Sequence, residues 1–333
     1  MTTRQNDWLI RPPQPMDLRD GLALLLADEG GPGLTVEAME AVRSDLSAGR
    51  TAGIRVAVAG QRVIGAVVSR SHPGRVAFVW PPRLASDLAP AVALQVATDL
   101  LCDVAAEQLL AGANVLQCLI SRRPAHLMAL PPADWLIPAL RAAGYVHSTQ
   151  LELRQCEFAL RPAPVEASES GLVAEAYRPE QHADWVRLVE TILEQTLDCP
   201  YLVGVRSGED LLAALAPSDG ARERWWWRVS LPGGNAQPAG VLLLEPAEGS
   251  HELEIAYLGV VPEARRRGVA TGLLQLAKSQ AVGLGRRGLR VAVDSSNHWA
   301  TRLYDRFGFA VVERAESRVR VATSGTCQGF DAR

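Results

Sequence analysis

A short basic stretch in the C-terminal half has residue types and spacing suited to holding a phosphorylated ligand. Three arginines and a glycine, residues 265–268, stand between an apolar run at 253–261 and a helical pattern at 269–282. The apolar run contains Ile, Tyr and Val and ends before a proline, which indicates a buried strand. The chain is therefore predicted to pass from a strand through a basic turn into a helix.

The start of that helix is predicted to bind pyrophosphate. The first N–H groups of a helix have no intrahelical acceptor, and the helix dipole places positive charge there. Gly268 and Ala270 let the backbone approach a ligand closely, and the neighbouring arginines add charge. A surface loop that happens to be basic is the alternative interpretation of the arginines alone.

Two motifs in this half resemble those of the GCN5-related N-acetyltransferases (GNAT). The first is their coenzyme signature Arg/Gln-x-x-Gly-x-Gly/Ala, which here is Arg265, Gly268 and Ala270. The second, Asn-x-x-Ala-x-x-Leu-Tyr-x-x-x-Gly-Phe, follows about thirty residues later, and its members here are Asn297, Ala300, Leu303, Tyr304, Gly308 and Phe309. The resemblance covers residues 173–320.

The resemblance implies that acetyl-CoA is the cosubstrate. Main-chain groups at the end of the strand would bond its pantetheine arm, the basic turn would hold its pyrophosphate, and Asn297 would cap the next helix or bond the pantetheine amide. The residues implied in coenzyme binding are Leu258, Gly259, Val260, Arg265, Arg266, Arg267, Gly268, Val269, Ala270, Thr271 and Asn297.

Acetyl transfer to an amine requires a base for the incoming ammonium and an acid for the leaving thiolate. Glu252 and Glu254 lie two residues apart and so on one strand face. The family's usual spacing of eleven residues before the first arginine selects Glu254 as the base. Glu252 or a water relay could share this role. The non-functional alternative is that both glutamates lie at a solvated strand edge. Tyr304 matches the family's general acid, and its other interpretation is a core aromatic residue.

The composition is that of an ordinary globular protein, with 48% hydrophobic and 21% charged residues. A net charge of −3 gives no general attraction to nucleic acid or to an anionic membrane. No signal peptide or membrane-spanning run is recognisable, so we expect a cytoplasmic location and neither membrane nor nucleic-acid partners. The five cysteines show no CxxC spacing, and we expect no metal site.

The order of predicted elements, which include helices at residues 36–46 and 183–197, occurs twice along the chain. We therefore predict an α/β (α+β) fold class in which tandem GNAT folds each have a mixed, mostly antiparallel central sheet flanked by helices. The predicted domains are residues 8–160 and 172–322, joined near 161–171, where Pro, Ala, Ser and Glu replace the periodic pattern. Two unrelated α/β units are the alternative. The two-domain plan is distantly similar to that of mycothiol synthase.

The first half lacks a basic turn at the corresponding position. Residues 80–87 read Trp-Pro-Pro-Arg-Leu-Ala-Ser-Asp, with no glycine and a single arginine. A phosphate cradle built from these residues would lack close backbone approach and most of the charge. The N-terminal half is accordingly predicted to be a degenerate GNAT-like domain that shapes the substrate cleft.

Two functions follow from these predictions. The first is an N-acetyltransferase that moves an acetyl group from acetyl-CoA to a primary amine of a small molecule or peptide, with its active site in the C-terminal domain. The alternative is a non-catalytic acetyl-CoA-binding sensor or regulatory protein. The sequence does not identify the acceptor amine, and a monomer and a homodimer are both compatible with it.

Overall fold

The computed structural model describes residues 7–26, 44, 51–122, 133–158, 171–217, 219–233, 237–246 and 251–322. The strands are β1 Leu9–Arg11, β2 Ile54–Ala59, β3 Arg62–His72, β4 Val76–Val79, β5 Arg83–Leu84, β6 Val115–Arg122, β7 Val146–Glu157, β8 Val173–Ala176, β9 Trp226–Ser230, β10 Pro238–Pro246, β11 Glu252–Val260, β12 Gly288–Asp294 and β13 Ala310–Val321. The helices are α1 Leu18–Leu26, α2 Pro90–Leu110, α3 Leu136–Ala142, α4 His182–Leu193, α5 Gly208–Ala214, α6 Arg222–Trp225, α7 Val269–Gly283 and α8 His298–Arg306.

The chain forms two compact units that are each built from two segments. The first unit contains Met1–Ser148 and Glu316–Arg333, and the second contains Thr149–Ala315. The linker predicted near 161–171 falls almost wholly on residues 159–170, outside the described part of the chain. The predicted domain boundaries therefore stay a prediction.

The first unit is a mixed, mostly antiparallel sheet in the order β1-β2-β3-β4-β6, followed by the end of β13. The pairs β1–β2, β2–β3 and β3–β4 are antiparallel, and β4–β6 is parallel. Helix α2 packs its apolar residues, among them Leu100 and Leu101, into the core beneath the sheet. Burial of such side chains contributes about 1.5–3 kcal/mol each.

The second unit repeats this plan in the order β8-β9-β10-β11-β12-β7, followed by the start of β13. The pair β11–β12 is parallel, and β8–β9, β9–β10, β10–β11 and β7–β12 are antiparallel. Helices α4 and α7 contribute to its core, which includes Trp185, Leu273 and Leu274. The repeated order predicted from the sequence is thus present in both units.

Most of the predicted elements agree with the structure to within a few residues, and two predicted helices are the exceptions. The helix predicted at 36–46 lies outside the described residues except for residue 44. The helix predicted at 183–197 ends earlier, since α4 stops at Leu193. No helix in the described ranges combines the length and the apolar character that a membrane crossing requires.

Candidate active site

The two parallel strands of the second unit separate from each other halfway along their length. The ladder between β11 and β12 joins Glu252, Leu253 and Glu254 to residues 288–290 and then stops, although β11 continues to Val260. A bulge on β11 accompanies the separation, because Leu243 and Leu244 on β10 face Tyr257 and Ile255 and leave Ala256 as the extra residue. The separation leaves main-chain groups of β11 available to a ligand.

A cavity of about 670 Å³ lies at this separation. Its walls come from residues 255–260 of β11 and 291–293 of β12, from the basic turn, from the start of α8 and from the end of α4. All but one of the residues predicted to bind the coenzyme line it, and the exception is Arg267. The elements predicted separately from the sequence therefore meet around one cavity.

The start of α7 provides a concave backbone surface in this cavity. Gly268 is the N-cap residue and has φ +82°, in the left-handed region that favours glycine. A Cβ built on Gly268 would meet no heavy atom within 4 Å in the described part of the chain. The first helical bond runs from Gly272 N to Gly268 O at 3.0 Å, so the N–H groups of residues 268–271 precede the helical ladder. These residues fit an anionic ligand such as a pyrophosphate.

The three arginines of the turn have different environments. Arg265 donates to the carbonyl oxygens of Gln195 at 2.7 Å and Val260 at 3.4 Å, so its guanidinium joins the end of α4 to the end of β11. Arg266 has φ +61° and lies over the Trp299 ring, 5.9 Å from its centroid. Arg267 is exposed. Of the three arginines of the turn, Arg265 and Arg266 line the cavity.

The second motif places Asn297 and Tyr304 on the other side of the cavity. The Asn297 side chain caps α8 by accepting from Ala300 N at 3.2 Å, which is one of its two predicted roles. Tyr304 is 5% exposed and packs edge-on against Phe309, with 5.2 Å between ring centroids. Burial and the nearby Asp198 carboxylate raise the pKa of Tyr304 above its usual range, so its hydroxyl keeps its proton at neutral pH.

Replacing Asn297 by alanine should lower the free energy of unfolding by about 1 kcal/mol, because helix α8 loses its capping oxygen. Asn297→Ser is the matched control, since a serine oxygen also caps and the loss should then be a few tenths of a kcal/mol. Urea unfolding of both variants measures the difference. Equal stability of the alanine and serine variants would show that the cap contributes nothing.

The two glutamates predicted as bases lie beside the cavity rather than in it. Glu254 forms an ion pair with Arg290 on β12, with N–O distances of 2.7 and 2.9 Å, and Glu252 accepts from the Gln155 amide. Neither glutamate is among the described residues that line the cavity. The assignment of Glu254 as base stays a prediction.

The cavity contains a carboxylate that the sequence analysis did not identify. Asp198 lies in the loop after α4 and lines the cavity. Its Oδ1 accepts from Asp294 N at 2.9 Å, and Asp294 Oδ2 accepts from Cys199 N at 3.0 Å. This reciprocal pair of hydrogen bonds fixes the loop to the end of β12, and Cys199 there adopts a left-handed φ of +48°.

The environment of Asp198 favours its protonated form more than water does. Burial raises its pKa to about 6, and the charge of Asp294 acts in the same direction. Hydrogen bonds from Asp294 N and from the Asn297 amide act in the opposite direction and limit the rise. Asp198 is therefore ionised at neutral pH but binds a proton far more readily than an exposed aspartate.

Asp198, Cys199 and Asp294 also place their potential ligand atoms within 4.8 Å of one another. The Asp294 carboxylate, however, already accepts hydrogen bonds from Cys199 N, Ser296 N and Ser296 Oγ at 2.7–3.0 Å. These bonds account for the position of Asp294 as a support for the loop. The arrangement of Asp198, Cys199 and Asp294 therefore does not indicate a cation site.

The first unit differs from the second at the corresponding point. Strand β4 has four residues, of which three pair with β6, so its ladder runs nearly to its end. The chain then turns back as β5, where Arg83 and Leu84 pair with β3. Helix α2 begins after Ala89, which is extended and has no side-chain cap. The first unit thus lacks, among its described residues, the strand separation and glycine turn of the second.

Comparison with known families agrees with this geometry. Residues 186–309 match the model of the acetyltransferase (GNAT) family. The matched stretch lies within the second unit and includes both motifs. A comparison with curated protein sequences found no match.

Solved structures share the fold over nearly the whole chain. A GCN5-related N-acetyltransferase from Sphaerobacter thermophilus has a TM-score of 0.59 and 18% identity, with 96% of this chain and 97% of the other covered. A tandem GNAT protein from the clavulanic acid biosynthesis pathway has a TM-score of 0.54 and 14% identity, with 96% and 100% covered. The predicted fold class, tandem GNAT folds with mixed, mostly antiparallel sheets, is confirmed.

A third similar structure is a GCN5-related glucosamine N-acetyltransferase region of a fungal multi-domain GH3 β-N-acetylglucosaminidase. It has a TM-score of 0.57 and 13% identity, and the match covers 93% of this chain and 38% of the other. At these identities the three structures establish the shared fold. The distant similarity to mycothiol synthase stays a prediction.

Proposed function

We propose that this protein transfers the acetyl group of acetyl-CoA to a primary amine of a small molecule or peptide, because residues 186–309 match the model of the acetyltransferase (GNAT) family. The reaction takes place in the cavity of the second unit. The observation that carries this proposal is the glycine turn at Gly268, which opens the start of α7 toward a cavity at the separation of β11 and β12. This arrangement supports a bound pyrophosphate and a pantetheine arm together.

The coenzyme lies along the cavity between the start of α7 and the end of β11. Its pyrophosphate accepts hydrogen bonds from the N–H groups at the start of α7, and its pantetheine arm bonds the main chain of residues 258–260. One of these N–H groups polarises the thioester carbonyl. Tyr304, which keeps its proton because its pKa is raised, protonates the departing thiolate.

The first unit is proposed to hold no coenzyme of its own. The turn after β4 pairs with β3 as β5, and Leu84 packs against the core instead of leaving a concave backbone surface. This geometry supports one coenzyme per chain. Whether the protein is a monomer or a homodimer does not affect this proposal, since every residue it uses lies in the second unit.

A thiol-release assay tests the proposed reaction. The protein is incubated with acetyl-CoA and a panel of acceptors that contains polyamines, aminoglycosides, peptides with free amino groups and amino-sugar thiols. We expect release of free CoA thiol that depends on one acceptor class, together with the acetylated amine as product. Release that is independent of every acceptor would contradict transfer to an amine.

The alternative, a protein that binds acetyl-CoA as a regulatory ligand, is favoured by one observation. The predicted base Glu254 is bound to Arg290 and lies outside the cavity lining. A sensor requires only the coenzyme cradle. Binding of acetyl-CoA with no acceptor-dependent release across the panel would favour this alternative over the enzyme.

A further inference from the structure

We infer that Asp198 is the catalytic base, which receives the ammonium group of the acceptor in the cavity and takes its proton. This inference rests on the proposed acetyl transfer. It assigns the role to a residue of the loop after α4 instead of to Glu254 on β11.

The position of Asp198 suits a base better than that of Glu254. Asp198 lines the cavity together with Tyr257 and Tyr304, whereas Glu254 does not. The carboxylate influences the pKa of both tyrosines, which places its charge near the hydroxyl proposed to protonate the thiolate. A base and an acid at the same end of the cavity can act on one thioester carbon and its attacking nitrogen.

Hydrogen bonds hold the Asp198 side chain and backbone in place before an acceptor binds. Two hydrogen bonds between the loop and Asp294 hold Asp198, and Asp294 is fully buried. Thr196 Oγ1 accepts from Asp198 N at 3.1 Å and donates to Asp198 O at 3.2 Å, which fixes the backbone of the same residue. A carboxylate supported in this way keeps its orientation while an acceptor binds and leaves.

The two carboxylates differ in their availability to bind the ammonium group of an acceptor. Glu254 is engaged by Arg290, which lies 2.7 Å away and satisfies its charge. The hydrogen bonds to Asp198 come from a backbone N–H and the Asn297 amide, neither of which carries a charge. The ammonium of an acceptor would therefore supply the positive charge that these two neutral donors lack, which attracts it toward Asp198 in the cavity.

The reaction balances with these groups. Asp198 accepts one proton from the ammonium, and the neutral nitrogen attacks the thioester carbon, so that an N–C bond forms and the C–S bond breaks. The thiolate takes the proton of Tyr304, and the new amide nitrogen returns a proton to the tyrosinate. Asp198 finally releases its proton to solvent, so the products are an amide, a thiol and one proton.

The pH dependence follows from the surroundings of Asp198. The titratable groups that interact with Asp198 are Asp294 on β12, Tyr304 on α8, Tyr257 on β11 and Cys199 in its own loop. Three arginines act on these neighbours: Arg206 on Cys199 and Tyr257, Arg265 on Tyr257, and Arg154 on Tyr304. The raised pKa means that Asp198 is protonated below about pH 6 and cannot then accept a proton. The value of kcat/KM should therefore fall as pH drops through this range and stay level above it, up to the pKa of the acceptor.

Two neutral-amide variants test the assignment. Asp198→Asn should lower kcat/KM about 100-fold at neutral pH, because general base catalysis contributes on the order of 10²–10⁴. Its rate should then climb with pH up to the pKa of the acceptor, since only amine already neutral in solution reacts. Glu254→Gln tests the rival assignment: the inference predicts that it keeps both the rate, within about threefold, and the level region of the profile, whereas loss of either would identify Glu254 as the base.

Titration with acetyl-CoA separates this inference from the proposed function. Asp198→Asn should bind the coenzyme with near wild-type affinity, since the proposed contacts to the coenzyme come from the start of α7 and from the main chain of residues 258–260. A level profile retained in Asp198→Asn, or lost in Glu254→Gln, would overturn the inference while leaving acetyl transfer intact. Absence of thiol release from the wild-type protein would instead contradict the proposed function.

A second variant, Asp198→Glu, tests the inference if Asp198→Asn no longer binds the coenzyme. Asp198→Glu keeps a carboxylate but moves it by one methylene, so the rate should fall and the acid limb of the profile should shift. An unchanged rate and an unchanged limb in Asp198→Glu would overturn the inference. A shifted limb with coenzyme binding intact would support it.

Discussion

Replacing Gly268 by tryptophan is expected to weaken acetyl-CoA binding by at least about 100-fold, the equivalent of about 3 kcal/mol. The tryptophan side chain would begin at a Cβ that now faces open space at the start of α7. It would occupy the volume next to the N–H groups that are proposed to hold the pyrophosphate. Hydrogen bonds to charged groups contribute about 1.5–3 kcal/mol each, so the loss of two accounts for the expected change.

The control must separate backbone strain from blockage of the cavity. Gly285 follows α7, has φ +66°, and a Cβ there also meets no described heavy atom within 4 Å. Gly285→Trp therefore imposes a comparable strain of about 1–2 kcal/mol but lies outside the cavity lining. Calorimetric titration should show wild-type affinity for Gly285→Trp. Equal affinities of the two variants would show that Gly268 is not at the coenzyme.

Replacing Tyr304 by phenylalanine is expected to lower kcat by a factor on the order of 10²–10³, with little change in coenzyme affinity. The ring packs on Phe309, and this contact survives the substitution. The hydroxyl is lost, and with it the proton proposed for the thiolate. Steady-state thiol release measures kcat, and calorimetric titration measures coenzyme affinity.

Tyr145→Phe is the matched control for this substitution. Tyr145 is fully buried in the first unit, and its hydroxyl oxygen has no hydrogen-bond partner in the described part of the chain. Removing that hydroxyl should leave kcat unchanged and should not destabilise the protein. A Tyr304→Phe variant with kcat within threefold of wild type would exclude Tyr304 as the acid. Parallel loss of coenzyme affinity and rate would point to a structural role.

The coenzyme cradle could be predicted from the sequence because its parts are contiguous. The strand, the basic turn and the helix follow one another within about thirty residues, and each has a local signal in periodicity or residue type. The left-handed N-cap also follows from residue type, since glycine tolerates the φ of +82° at residue 268. The ladder between β11 and β12 ends at Glu254, so residues 258–260 lie beyond it, and their proposed role in holding pantetheine stays a prediction.

The position of Glu254 relative to the cavity could not be predicted because it depends on where β11 separates from β12. The ladder between the two strands still includes Glu254, and the stretch of β11 that lines the cavity begins at the next residue, Ile255. The bulge at Ala256 accompanies this separation. The alternation of residues in the sequence shows which ones share a strand face, but it does not show where the two strands part.

Asp198 was missed because its role depends on contacts between distant parts of the chain. Its partner Asp294 is 96 residues away. The helix pattern predicted to run to residue 197 also hid the loop, since α4 ends at Leu193 and the loop that carries Asp198 begins there. The Asp-Cys-Pro sequence at residues 198–200 is the local signal for a turn. A hydrogen bond between the loop and a strand end is visible only in three dimensions.

Calorimetric titration of the intact wild-type protein with acetyl-CoA tests the central claim most directly. The second unit has a glycine turn and separated strands, whereas the first unit pairs the corresponding segment with its own sheet. We therefore predict saturable binding at one site per chain. Binding of two coenzyme molecules per chain, or of none, would contradict the proposal of a single coenzyme site in the second unit.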